Sequence, residues 1–146
     1  MSLPTPVPGL VIGYSYLWAR EHSDGAEEGA KARPCAIIAA KQIIEGREVV
    51  TVLPITHSPP SDPGEAIEIP ASIKKHLGLD DLRSWIVVTE TNDFLWPGAD
   101  LRPAVSGKAL SRFVYGMLPP NFYAHVRDRV LQAHLERRLT SVPRTE

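Results

Sequence analysis

The chain has 146 residues, with 16 basic and 17 acidic side chains, a formal net charge of −1 and a hydrophobic fraction of 43%. This length predicts one domain, residues 1–146, whose core is large enough to fold without disulfides or metal. The near-neutral balance excludes the overall positive field of a non-specific DNA-binding protein, so any contact with nucleic acid must be local.

The first half of the chain predicts three strands. The Val-, Ile-, Tyr- and Trp-rich segment Leu10 to Trp18 is typical of a strand, and the polar segment Ala19 to Ala32 that follows it is predicted to be a long loop. Pro34 to Lys41 and Val49 to Thr56 are almost continuously apolar, which favours central strands. The turn sequence Glu45 to Arg47 joins them, so we expect a hairpin here.

The second half predicts shorter elements and two helices. In chain order, they are a strand at Glu65 to Ile69, a helix from Pro70 to Leu77, a strand at Ser84 to Thr91, an irregular stretch at 92–110, a strand at Arg112 to Leu118 and a helix from Pro119 to about Leu139. Gly78 is placed to end the first helix. Apolar residues at spacings of three and four predict that one face of the second helix packs on the sheet.

Several short strands with two helices favour a mainly β, α+β fold: a small antiparallel barrel or strongly twisted sheet, with a short crossover helix and a C-terminal helix. We expect residues 9–118 to form the core of this barrel and residues 119–140 to form the C-terminal helix. The ends, 1–8 and 141–146, are expected to be flexible.

Common cofactor and catalytic motifs are missing from the sequence. It contains no GxxxxGK[ST] or GxGxxG phosphate-binding motif, no HExxH or CxxC metal motif and no GxSxG elbow. We therefore expect no metal site and no cofactor. The single cysteine, Cys35, lies in an apolar run, and the sequence has neither an export signal nor a membrane-spanning run, so a cytoplasmic location is expected.

Polar residues stand at both ends of the predicted hairpin. An antiparallel pair with a tight turn places the start of its first strand beside the end of its second, so Arg33 and Thr56 become neighbours. Glu28 precedes the first strand, and His57 and Ser58 follow the second. A guanidinium, a hydroxyl and proton-transfer groups at one rim suit metal-free cleavage of a phosphodiester. The alternative is that these residues are a solvated charge and ordinary turn residues.

The order of these elements, with "RPCAII" and "VVTVLPITH" as its most distinctive parts, resembles the MazF/PemK family of toxin endoribonucleases over most of residues 9–95. The resemblance implies an SH3-like barrel, a homodimer and metal-independent cleavage of single-stranded RNA. It also implies that an antitoxin protein silences the enzyme by occupying the RNA groove.

The resemblance implies roles for individual residues. Arg33 is expected to stabilise the transition state, and Thr56 is expected to support it through a hydrogen bond. Three residues remain open as the group that moves the proton: Glu28, His57 and Glu90. We expect Lys31, Ser58 and Asn92 to contact the RNA. A non-catalytic barrel module that binds a protein or RNA partner remains the alternative, because RNA grooves are usually basic.

Overall fold

The computed structural model describes residues 5–23, 25 and 31–144. Within these residues there are eight strands, three α-helices and one short 3-10 helix at Pro63–Glu65. In chain order the strands and α-helices are β1 (Leu10–Tyr14), α1 (Ala19–Ser23), β2 (Arg33–Ile44), β3 (Arg47–Thr56), β4 (Ala66–Glu68), α2 (Ala71–Leu77), β5 (Trp85–Val87), β6 (Glu90–Leu95), β7 (Val114–Met117), α3 (Pro120–Leu135) and β8 (Thr140–Pro143).

The predicted hairpin is confirmed as β2 and β3. Glu45 and Gly46 form its turn with φ values of 52° and 77°, as a two-residue hairpin turn requires. The register runs from Ile44 facing Arg47 to Cys35 facing Pro54, with two irregularities along β2. The start of β2 and the end of β3 therefore lie at the same end of the sheet.

The strands form one connected sheet in the order β4-β5-β3-β2-β1-β7, and β6 pairs with both β3 and β8. Every pair is antiparallel except β6 with β8. Among the described residues no hydrogen bonds join β4 to β7, so the sheet is open at these two ends. The predicted mainly β fold with helices is confirmed at this level.

One predicted strand is in fact two. The segment predicted as a single strand from Ser84 divides into β5 and β6, which lie end to end along the same edge of β3. The backbone leaves the ladder between them, where Val88 N–H donates to Glu65 O at 2.9 Å and Thr89 O accepts from Thr140 N–H at 2.9 Å. The second strand also runs on to Leu95, so the irregular stretch begins later than predicted.

Alternating side chains bury both faces of the sheet. One apolar cluster includes Val11, Leu53 and Tyr115 together with Val126 and Val130 of α3. The other face carries a second cluster, which contains Leu10, Ile12, Tyr14, Cys35, Ile37, Val50, Val52, Phe94 and Trp96. The helix packs on the sheet as predicted, and the described helices include none long and apolar enough to cross a membrane.

Two segments near the chain ends differ from the prediction. The first strand ends at Tyr14, and the predicted loop begins with the single-turn helix α1, whose first turn is closed when Trp18 N–H donates to Glu21 at 3.1 Å. The last helix ends at Leu135, and the predicted flexible end contains β8. Strand β8 is ordered because Val142 is buried in the core, 2% exposed.

The crossover between β4 and β5 is close to the prediction. Strand β4 lies within the predicted Glu65 to Ile69 strand, and α2 begins after Pro70. Gly78 ends this helix in the left-handed conformation with φ 70°. A Cβ at this position would also collide with the Ser106 side chain, so both the backbone and the space require glycine.

Candidate functional site

A pocket of about 980 Å³ opens where β2 begins and β3 ends. Six of the eight residues proposed from the sequence line it: Lys31, Arg33, Thr56, His57, Ser58 and Glu90. Arg33 and Thr56 lie in the hairpin strands at its open end, and Lys31, His57 and Ser58 lie in the segments directly before and after these strands. Glu90 enters from the start of β6. The predicted meeting of the two polar ends of the hairpin is confirmed.

Arg33 stands at the first position of β2, with its guanidinium beside an aromatic ring. Its carbon Cζ lies 5.1 Å from the centroid of the Trp18 ring, and Nη1 makes a long hydrogen bond of 3.4 Å to Ile55 O. Its Nε is buried and has no hydrogen-bond partner among the described residues. No described carboxylate lies within ion-pairing distance of Arg33. The contacts with Trp18 and Ile55 therefore restrain the guanidinium, and N–H donors that no described residue uses remain available to an anion.

Thr56 ends β3, directly after the carbonyl that Arg33 contacts. Its Oγ1 accepts the backbone N–H of Ser58 at 3.1 Å, which closes a tight turn at the rim. Because the oxygen is used as an acceptor, the hydroxyl proton remains to donate. Thr56 also pairs with Trp85 of β5, so the backbone behind the hydroxyl is fixed in the sheet.

His57 lies on the pocket wall and contacts the carboxylate of Asp80, a residue that was not among the predicted site residues. His57 Nε2 lies 2.9 Å from Asp80 Oδ2, and Lys74 Nζ lies 3.2 Å from Asp80 Oδ1. Partial burial by itself raises the pKa of Asp80, but the hydrogen bond from Lys74 and the charge of His57 outweigh it. The pKa of this carboxyl is therefore below its usual value, and Asp80 is ionised at neutral pH.

Glu90 differs from Asp80 in that its surroundings raise the pKa of its carboxyl. Its Oε1 accepts the backbone N–H of Ala19 at 2.6 Å and the hydroxyl of Tyr16 at 3.3 Å. Burial raises the pKa of Glu90, and these hydrogen bonds offset only part of the effect. The pKa of Tyr16 is also raised, chiefly by burial and then by the Glu90 charge, so the phenol stays protonated. Glu90 is a partly desolvated carboxylate, which is a stronger proton acceptor than one in water.

Trp18 and Arg20 belong to the site although no motif in the sequence pointed to them. Both line the pocket, and the Arg20 guanidinium lies 5.4 Å from the Trp18 ring centroid. The Tyr16 ring meets Trp18 edge to face at 5.1 Å. The signal available in the sequence was the aromatic run after the first strand, which we interpreted as the end of that strand. The Trp18 ring instead lies beside the Arg33 and Arg20 guanidinium groups and forms cation–π contacts with them.

Asn92 is not part of the pocket, and its predicted contact with RNA is wrong. It is 0% exposed, and its side chain donates to Leu17 O and accepts from Leu17 N–H, both at 2.8 Å. An amide with these partners has no surface for a bound ligand. Glu28 lies outside the described residues. Lys31 is exposed at the pocket edge, where the prediction that it contacts RNA stays a prediction.

The charges around the pocket are mixed. Side chains of both signs line it. The basic ones are Arg20, Lys31 and Arg33, and the acidic ones are Glu21, Glu65, Asp80 and Glu90. Within the described ranges, no group of three or more His, Cys, Asp or Glu side chains is arranged to hold a metal ion.

No family model, no curated protein and no solved structure matches this chain.

Replacing Glu90 with glutamine is expected to stabilise the protein at pH 7 and to lose this advantage at acid pH. Because the pKa of Glu90 is higher in the folded state than in the unfolded state, the wild-type carboxylate destabilises the fold above both values. This penalty disappears as the pH falls through the window between the folded and the unfolded pKa. Glutamine can still accept the hydrogen bonds from Ala19 and Tyr16.

Urea unfolding of wild type and Glu90→Gln at pH 7 and pH 4 measures the effect. All other carboxylates are common to the two proteins, so their titration cancels in the difference between the two free energies of unfolding. A difference that does not change with pH contradicts the proposed desolvation of Glu90.

Proposed function

We propose that this protein is a toxin-type endoribonuclease that cleaves single-stranded RNA without a metal ion. The observation that carries the proposal is Arg33: a guanidinium held against Trp18 in a pocket, with no described carboxylate to neutralise it and Thr56 beside it. An arginine that is fixed and has no ion-pair partner among the described residues fits a phosphodiester, because its planar fork matches the phosphate oxygens.

The chemistry follows from the positions of the donors. In RNA the 2′-hydroxyl is the nucleophile, and negative charge builds on the non-bridging oxygens as the 2′ oxygen attacks phosphorus. Arg33 and the Thr56 hydroxyl stabilise that charge, and Glu90 accepts the 2′-hydroxyl proton. The raised pKa of Glu90 supports this role, because a carboxylate of higher proton affinity is a better base at neutral pH.

Finer features belong to the same proposal. We infer an SH3-like barrel, which is supported by the way the edge of β3 pairs with both β5 and β6. A homodimer and an antitoxin partner rest on the resemblance to the MazF/PemK family alone, and a cytoplasmic location rests on the sequence features described above.

The test is cleavage of single-stranded RNA in EDTA with the antitoxin-free protein. We expect products with 5′-hydroxyl and 2′,3′-cyclic phosphate ends, and we expect Arg33→Ala and Thr56→Ala to be impaired. Arg112→Ala is the matched control, since Arg112 is exposed and lies outside the pocket. If wild type leaves RNA intact, or if both pocket variants cut as well as Arg112→Ala, the proposal is wrong.

A non-catalytic binding module is the second candidate, and the mixed charges around the pocket favour it. The same samples distinguish the two functions. Retention of intact RNA by wild type, lost in Arg33→Ala, would identify binding without cleavage.

A further inference from the structure

His57 and Asp80 form a pair at the pocket that the proposed reaction has not yet used. His57 directly follows Thr56 at the end of β3, and Asp80 follows α2, so the pair joins two distant segments at the rim. Nε2 of His57 lies 2.9 Å from Asp80 Oδ2 and 3.1 Å from Oδ1. Both side chains are about half exposed, 51% and 52%, so the pair has access to a ligand in the pocket.

The carboxylate of Asp80 accepts two hydrogen bonds in addition to its contact with His57. Its Oδ1 accepts Lys74 Nζ at 3.2 Å and the backbone N–H of Leu82 at 3.1 Å. The Lys74 side chain is only 7% exposed, so the ammonium reaches Asp80 from inside the fold. The left-handed Gly78 turns the chain between α2 and Asp80. These contacts fix the position of the Asp80 carboxylate independently of His57.

This arrangement determines which nitrogen of His57 is available. Because Asp80 engages Nε2, that nitrogen carries a proton and Nδ1 is the nitrogen left for other chemistry. Nδ1 has no hydrogen-bond partner among the described residues. Nδ1 can donate a proton only when both ring nitrogens are protonated, so the imidazolium is the form that a general acid requires here.

We propose that His57 is the general acid of the cleavage reaction and that Asp80 is its positioning residue. As the bond between the 2′ oxygen and phosphorus forms and the bond between phosphorus and the 5′ oxygen breaks, Nδ1 of His57 gives its proton to the leaving 5′ oxygen. The 2′-hydroxyl proton passes to Glu90, so the two proton transfers balance. This proposal rests on the proposed function and adds the second proton-transfer group to it.

The test compares two substrates that differ in one atom. The first is a short single-stranded RNA with one cleavable linkage, and the second carries sulfur in place of the bridging 5′ oxygen at that linkage. A thiolate leaves without being protonated, because a thiol is a far stronger acid than an alcohol. Loss of a general acid therefore slows cleavage of the oxygen substrate and leaves cleavage of the sulfur substrate nearly unchanged.

For His57→Ala we expect kcat/KM to fall about 10²-fold or more on the oxygen substrate and less than about tenfold on the sulfur substrate. Asp80→Asn keeps the shape of the side chain and removes its charge, and we expect a smaller loss with the same selective rescue by sulfur. Glu90→Gln and Arg33→Ala should be impaired on both substrates. His76→Ala is the matched control, because His76 is exposed on α2 and does not line the pocket.

The outcomes separate this proposal from the proposed function. If wild type cleaves the oxygen substrate and His57→Ala is equally impaired on both substrates, His57 is not the general acid, although the nuclease remains. Equal impairment of Asp80→Asn on both substrates means that Asp80 has only a structural role. If wild type cleaves neither substrate, both proposals are wrong. Unfolding curves confirm that each variant is folded at the assay temperature.

Discussion

Replacing Arg144 with methionine is expected to lower the free energy of unfolding by about 3–5 kcal/mol, which is typical for breaking a buried ion pair from one side. The Arg144 side chain is 1% exposed, and its Nη2 lies 2.9 Å from Asp100 Oδ2. Its Nη1 also donates to Ser15 O at 2.7 Å and to Asn92 Oδ1 at 3.1 Å. Methionine fills much of the space but leaves the Asp100 carboxylate buried without this partner.

Loss of the Arg144 guanidinium is also expected to affect the pocket, because Arg144 and Leu17 both form hydrogen bonds with the side-chain amide of Asn92. Asn92 accepts from Arg144 and from Leu17 N–H while it donates to Leu17 O. Leu17 directly precedes Trp18, whose ring lies beside Arg33. A segment near the C-terminus therefore fixes the backbone that presents the aromatic platform. Under the proposed function, we expect Arg144→Met to lower RNA cleavage as well as stability.

Urea unfolding at pH 7 measures the loss. Arg127→Met is the matched control, since Arg127 is half exposed and its one ion pair with a described residue joins it to its neighbour Asp128 at 3.2 Å. A change below about 1 kcal/mol is therefore expected. The double variant Arg144→Met with Asp100→Asn should cost less than the two single losses together, because the second change removes the buried charge. Additive losses would show that the ion pair contributes nothing.

The hairpin was predictable because the information is local. A tight turn at Glu45-Gly46 pairs the two apolar runs, and this pairing, shifted by two irregularities along β2, brings Arg33 and Thr56 to one end. Gly78 ended its helix for a similarly local reason. These features depend on neighbouring residues, whose preferences agree with the fold.

The errors involve partners that are distant in sequence. Asn92 looked like a surface residue because its neighbours are polar, yet its amide is satisfied by Leu17 and Arg144, which are 75 and 52 residues away. Asp80 reaches His57 across 23 residues, by way of a strand and a helix. Nothing in a single sequence reports which distant polar groups satisfy each other. Strand β8 was missed for the same reason, since it is ordered by pairing with β6.

Under the proposed function, Arg33→Lys is expected to lower kcat/KM for RNA by about 10²-fold although the positive charge is retained. Removing a single oriented donor from a developing oxyanion typically has an effect of this size. Lysine replaces a planar fork with a flexible point charge, so it cannot contact two phosphate oxygens at once. The loss should fall mainly on kcat, because the oriented contacts strengthen as charge builds in the transition state.

Trp18 supplies the control that separates charge from orientation. The ring lies 5.1 Å from the Arg33 guanidinium, so Trp18→Leu keeps an apolar neighbour and removes the flat surface that orients the fork. If orientation matters, Trp18→Leu impairs the wild-type arginine more than it impairs Arg33→Lys, and the double variant is less affected than the product of the single losses. If Arg33→Lys cleaves as well as wild type, charge alone is sufficient and the assigned role of the fork is wrong. The geometry favours orientation, since within the described part of the chain Arg33 is restrained by an aromatic ring and a carbonyl rather than by a carboxylate.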